Sequence, residues 1–209
     1  HYGVFYQIDL EISFPTRDII FDVCERLIKD TYSVVAPNKK IKEFPFPRIS
    51  YAESMDMYGT DKPDVRFDLK LVDVTQLLKG NTEFSIFNNA QSIKAIKVTS
   101  GASWTRKQIE DYEDFARSKG GKGLVHLKLD EPEVSGGLAK FVNSSQIEDI
   151  KSHLGAKTGD LIFFSSDKTD TVNKVLGAIR SKLGDDLGLK HPNTLAFVWI
   201  TDFPFYELN

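Results

Sequence analysis

Three side chains near the start of the chain are the best placed to do chemistry. Gln7, Asp9 and Glu11 alternate with Tyr6, Ile8, Leu10, Ile12 and Phe14. Extended backbone sends successive side chains to opposite faces, so the amide and the two carboxylates share one face. A carboxylate there can hold an ammonium group, and an amide beside it can fix a polar substrate. The alternative is a solvated surface, because the open face of an antiparallel sheet is ordinarily polar.

Other chemistries fit less well. His126, His153 and His191 lie far apart and lack metal-ligand spacing. No Gly-rich phosphate loop is present, and Gly120-Gly121 and Gly136-Gly137 read as turns. No Ser/His/Asp order suggests a hydrolase. His126 alternates with Val125 and Leu127, which points to a surface or hydrogen-bonded core histidine. Lys168, Lys174, Arg180 and Lys182 could meet a phosphate backbone. Asp170, Asp185 and Asp186 are mixed among them, which favours an ordinary solvated helix face.

Positioning elements follow from periodicity. Residues 6–14 read as a half-buried strand ended by Pro15, and Thr16 caps a helix running to about Tyr32. The single cysteine, Cys24, shares that helix's apolar stripe with Ile19, Ile20, Val23, Leu27 and Ile28, so it is expected in the core or at its edge. One thiol cannot form an internal disulfide, which suits a reducing, cytoplasmic setting. Pro37 to Pro47 reads as a loop. Ser50 and Glu53 form a capping box for a helix ending at Gly59. Downstream, strands are expected around Ile93–Val98, 123–129, 159–165 and, as one buried strand, 195–200. Between them, Thr105 with Gln108 and Ser145 with Glu148 cap helices. A long amphipathic helix after Asp167 carries Val172, Val175, Leu176, Ile179 and Leu183 on one face.

The 209 residues suffice for one large or two small cores. The apolar fraction of 41% and charged fraction of 27% are those of a soluble globular protein. At a net charge of -3, any RNA contact must be local or depend on other parts of a larger protein. No apolar run is long enough to span a membrane, and no signal peptide is visible.

Several strings together resemble bacterial-type aspartyl-tRNA synthetases, a class II family. Gln7-Ile8-Asp9-Leu10-Glu11-Ile12-Ser13-Phe14 is similar to the strand ending motif 2, and Tyr58-Gly59-Thr60-Asp61-Lys62-Pro63-Asp64-Val65-Arg66-Phe67 to a second hallmark. Gly101 to Ile109, Gly159 to Phe164 and Gly177 to Arg180 resemble the family's GAD insertion. Trp199-Ile200-Thr201-Asp202-Phe203-Pro204 resembles the return to the catalytic sheet. Two departures stand out. Tyr2 to Tyr6 replaces the family's upstream Gln-Pro-Glu-Phe-Thr, and the Gly-Ala-Asp that names the insertion reads Ser165-Ser166-Asp167.

The resemblance implies an α+β architecture: a partial class II antiparallel sheet from residues 1–78 and 191–209, with a GAD-like domain inserted at 79–190. It implies that Gln7 lines an aspartate pocket and Asp9 holds the substrate ammonium. The parent enzyme would be a cytoplasmic homodimer using ATP and Mg²⁺ to join aspartate to tRNA. Motif 1, the ATP-gripping motif 2 residues and motif 3 would lie outside these 209 residues. This stretch alone is therefore expected to be inactive, with no ATP site or bound cofactor. The alternative is a non-catalytic module that contacts the tRNA acceptor region or braces the sheet.

Overall fold

A computed structural model describes residues 3–206. Tyr2, the first residue of the departing segment, lies outside them. Helix α1 (Arg17–Val35) starts where the Thr16 side chain accepts from Ile19 N–H. Strands β1 (Lys40–Ile41) and β2 (Arg48–Ser50) lead into α2 (Tyr51–Tyr58). Strand β3 (Val72–Asp73) and the short α3 (Thr75–Leu78) and α4 (Ser85–Asn88) precede β4 (Ser92–Val98). Then come α5 (Arg106–Ser118), β5 (Val125–Lys128), α6 (Ser144–Leu154), β6 (Leu161–Asp167) and α7 (Thr169–Asp186). Strands β7 (Thr194–Leu195) and β8 (Trp199–Thr201) close the order.

One antiparallel sheet, in the order β3-β4-β6-β5, organises the middle of the chain. In β4 and β6, Ile96, Val98, Leu161 and Phe163 face one core with Ile109, Tyr112, Val172, Val175 and Ile179. Ile93, Ala95, Ile162 and Phe164 face a second core with Leu78, Phe87, Leu138 and Ile150. Burial on both faces explains why these strands read as nearly continuous apolar runs. The sheet begins at Val72, upstream of residue 79.

Segment 3–14 differs from expectation: it carries the alternation but forms no strand, and its apolar side chains other than the half-buried Ile12 are exposed, Tyr6 by 95% and Phe14 by 98%. Period-two patterning suits a sheet edge, but a strand exists only when a neighbour takes its N–H and C=O groups. Among the described residues none does.

The flanks pair as two short parallel ladders, β1 with β7 and β2 with β8. The expected single strand at 195–200 is split, and its residues are half-buried. Opposite the break lie Pro45 and Pro47, which have no N–H to give a ladder. Pairing resumes where Trp199 N–H donates to Pro47 O at 2.9 Å. Helix α6 also starts earlier than Ser145. Asn143 accepts from Gln146 N–H at 3.0 Å, and the Gln146 side chain accepts from Asn143 N–H at 2.7 Å. Ser145 therefore sits inside the first turn. Cys24 is a half-buried free thiol.

Candidate functional site

Gln7 and Asp9 do meet. Gln7 Nε2 donates to Asp9 Oδ1 at 2.6 Å, and both side chains are exposed. Extended backbone alone gives this i, i+2 contact, so the shared face survives without the ladder. Glu11 is exposed on the same segment.

The most constrained site joins two of the strings singled out from sequence. Helix α2 stops at Gly59, whose left-handed φ of 69° turns the chain toward α7. A Cβ on Gly59 would lie 2.1 Å from the Asn173 carbonyl oxygen, and one on Gly177 would lie 2.8 Å from the Gly59 oxygen. Backbone thus packs on backbone, a contact only glycine permits.

Arg180 locks this junction. It is 2% exposed, and its Nη2 donates to Asp64 O at 2.9 Å and Phe67 O at 3.0 Å, while Nε donates to Leu69 O. Its guanidinium lies 4.1 Å from the Phe67 ring centroid and 4.7 Å from that of Tyr58. Burial lowers its pKa from the ordinary arginine value. Arg180 is thus no part of a solvated helix face: it organises residues 58–69. On the same turn Arg66 bonds Asp64 through both carboxylate oxygens, at 2.9 and 2.6 Å. That contact holds the Asp64 carboxyl below its usual range. Lys182 is also engaged, with Asp186 at 2.8 Å.

Two further buried ionisable groups escaped sequence reading. Lys94, 1% exposed in β4, donates through Nζ to the Asp56 carboxylate at 2.6 Å and the Asp56 carbonyl at 2.9 Å. Glu25, 3% exposed in α1, accepts from Phe46 N–H at 3.1 Å and from the Trp199 indole at 2.8 Å. For Lys94 the available signal was a charge set between Ile93 and Ala95; Glu25, beside Arg26, gave none.

Two hollows border these elements. A cleft of about 600 Å³ between the end of α2 and α7 is lined by Tyr58, Thr60, Lys62, Lys174 and Arg180, among others. A second, of about 390 Å³, holds His126, whose Nδ1 is 3.5 Å from Glu113 Oε1. Burial lowers the His126 pKa, and Glu113 opposes that shift. Among the described residues no three His, Cys, Asp or Glu side chains converge to hold a metal ion. No described helix is long and apolar enough to cross a membrane.

The GAD domain family matches residues 85–176. The chain is 39% identical over 207 residues to the aspartate–tRNA(Asp/Asn) ligase of Nitratidesulfovibrio vulgaris, covering 97% of this chain and 33% of that one. The corresponding ligase of Rickettsia bellii is 40% identical over 212 residues, covering 99% and 35%. The aspartate–tRNA ligase of Listeria monocytogenes serotype 4a is 42% identical over 209 residues, covering 97% and 35%. The chain thus spans about a third of the length of these relatives. The chain carries a GAD-domain match inside a stretch that is similar, over almost its whole length, to about a third of these aspartate–tRNA ligases.

Proposed function

We propose that this segment supplies one wall of the aspartate pocket of an ATP-dependent aspartate–tRNA ligase. Asp9 holds the substrate ammonium, and Gln7 orients Asp9 and lines the pocket. The 2.6 Å contact between them carries the reading, because it presents amide and carboxylate together on one face. In the reaction, a carboxylate oxygen of aspartate attacks the α-phosphorus of ATP. The bond to pyrophosphate breaks; a tRNA hydroxyl then attacks the aspartyl carbonyl of the adenylate, and AMP leaves. Anion attacking anion requires cations at the reacting oxygens.

The described residues do not fit a Mg²⁺ site: Asp9 is engaged by Gln7, and no third ligand joins it and Glu11. Asp9 and Glu11 without cations would repel the ATP phosphates from this face, so the 209 residues alone form no adenylate. Apolar exposure from Val4 to Phe14 suits a segment that packs in a larger, dimeric, cytoplasmic ligase. We place the inserted unit between about residues 72 and 190, since β3 already belongs to its sheet. Exchange of labelled pyrophosphate into ATP in the presence of aspartate tests the inactivity; robust exchange by this chain overturns it.

The Arg180 and Lys94 contacts favour a second role for the insertion, as a brace fixed to α2 rather than a mobile arm. A tRNA-contacting module would instead show salt-dependent binding of tRNA to the isolated chain.

A further inference from the structure

We infer that the cleft between the end of α2 and α7 is a binding site for a phosphate-class oxyanion, with Arg180 as its inner donor and Lys62 and Lys174 at its rim. The inference rests neither on Gln7 and Asp9 nor on the ligase reading.

Arg180 carries five N–H donors in a fixed fork. Its Nε and Nη2 are consumed by the Leu69, Asp64 and Phe67 carbonyls. Its Nη1 has no hydrogen-bond partner among the described residues, although the side chain is almost wholly buried and lies on the cleft wall. Nη1 is not among the fully enclosed unsatisfied atoms, so it meets the solvent of the cleft, where a bound oxyanion would accept a charge-assisted hydrogen bond from it.

The charge around it points the same way. No carboxylate bonds Arg180. Asp64 and Asp68 lie near enough to favour its charged form, but Asp64 is occupied by Arg66. Lys62 and Lys174 line the same cleft from two different elements, and neither ammonium enters an ion pair or hydrogen bond among the described residues. Asp61 is the one lining carboxylate left to oppose them, since Asp64 is paired. Within a chain of net charge -3, this is a local positive excess. Thr60 and Ser181 add hydroxyl donors, and about 600 Å³ accommodates a diphosphate or two nucleotides of backbone.

Titration of inorganic pyrophosphate into the ¹⁵N-labelled 209-residue chain should move the Arg180 side-chain resonance, with a Kd on the order of 0.1–1 mM. The Lys62→Ala/Lys174→Ala double variant should bind about tenfold more weakly. Neither ammonium holds another element, so the variant's melting temperature should be unchanged. A single-stranded RNA oligonucleotide forms the second arm. Competition with pyrophosphate, weakening steeply with salt, identifies a phosphodiester backbone as the source of the anion. Pyrophosphate binding without RNA competition identifies a free phosphate compound. Absence of binding in both arms, or equal binding to the double variant, overturns the proposal.

Discussion

Lys94 Nζ lies 2.6 Å from the Asp56 carboxylate, linking the central sheet strand to α2. The lysine is enclosed, while the aspartate reaches it from a largely exposed position. Asymmetric burial predicts asymmetric mutants. Asp56→Ala strands the enclosed ammonium with only the Asp56 carbonyl and should cost about 2 kcal/mol. Lys94→Met removes the charge and keeps the stem, so it should cost less than half as much. Urea unfolding of both variants checks the order; the reverse order would refute the assignment of Lys94 as the costly partner.

Gly59 and Gly177 meet backbone to backbone, and their replacement should be felt accordingly. Gly59→Ala combines a left-handed φ with a 2.1 Å overlap on the Asn173 oxygen, and should destabilise by on the order of 3 kcal/mol. Gly155 has a similar φ of 56° but open space beyond its Cα, so Gly155→Ala should cost only about 1 kcal/mol. Thermal melts that gave equal losses would show that strain, not close approach, dominates.

Glu25 satisfies two donors from distant parts of the chain. Glu25→Ala leaves the Phe46 N–H and the Trp199 indole without an acceptor, at a combined cost of about 3 kcal/mol. Trp199 fluorescence, isolated by Trp104→Phe, should shift as its indole loses the carboxylate. An unchanged spectrum and unchanged stability would argue against that hydrogen bond.

The His126 shift sets a pH response. Its folded pKa lies below the unfolded value of about 6.5, so the folded state binds fewer protons. Stability is full above the unfolded pKa and falls as pH drops through the folded one. The paired carboxyls of Asp64, Asp167 and Asp186, all held below their ordinary values, add losses only below about pH 4. Denaturant midpoints between pH 7 and 5 should therefore decline in the wild type and flatten in His126→Gln. A slope that survives the substitution would place the titrating group elsewhere.

If Asp9 holds the aspartate ammonium as proposed, Asp9→Ala in the full-length protein should lower the rate of adenylate formation by orders of magnitude, and Asp9→Asn should not restore it. The amide keeps the shape of the side chain but cannot balance an ammonium charge. Pyrophosphate exchange at saturating ATP is the readout.

Local chemistry was legible in the residue order. The Ser50–Glu53 and Thr105–Gln108 capping boxes, the Gly59 stop and the buried face of α7 depend on contacts within a few residues, and each stands as read. Asn143 took the cap expected of Ser145 because two overlapping signals fit and packing chose between them. The Gln7–Asp9 face was likewise readable, since alternation is a property of one strand of backbone. Whether that backbone becomes a strand was not, because hydrogen bonds to a neighbouring chain segment decide it. Nor was the fate of Arg180, Lys94 or Glu25. Each looked like an ordinary polar residue on a helix or strand, and each is buried against partners distant in the chain: Arg180 against the Leu69 carbonyl, Lys94 against Asp56 and Glu25 against the Trp199 indole. Patterning sets which groups share a face, whereas desolvation of a charge depends on what the rest of the fold lays over that face.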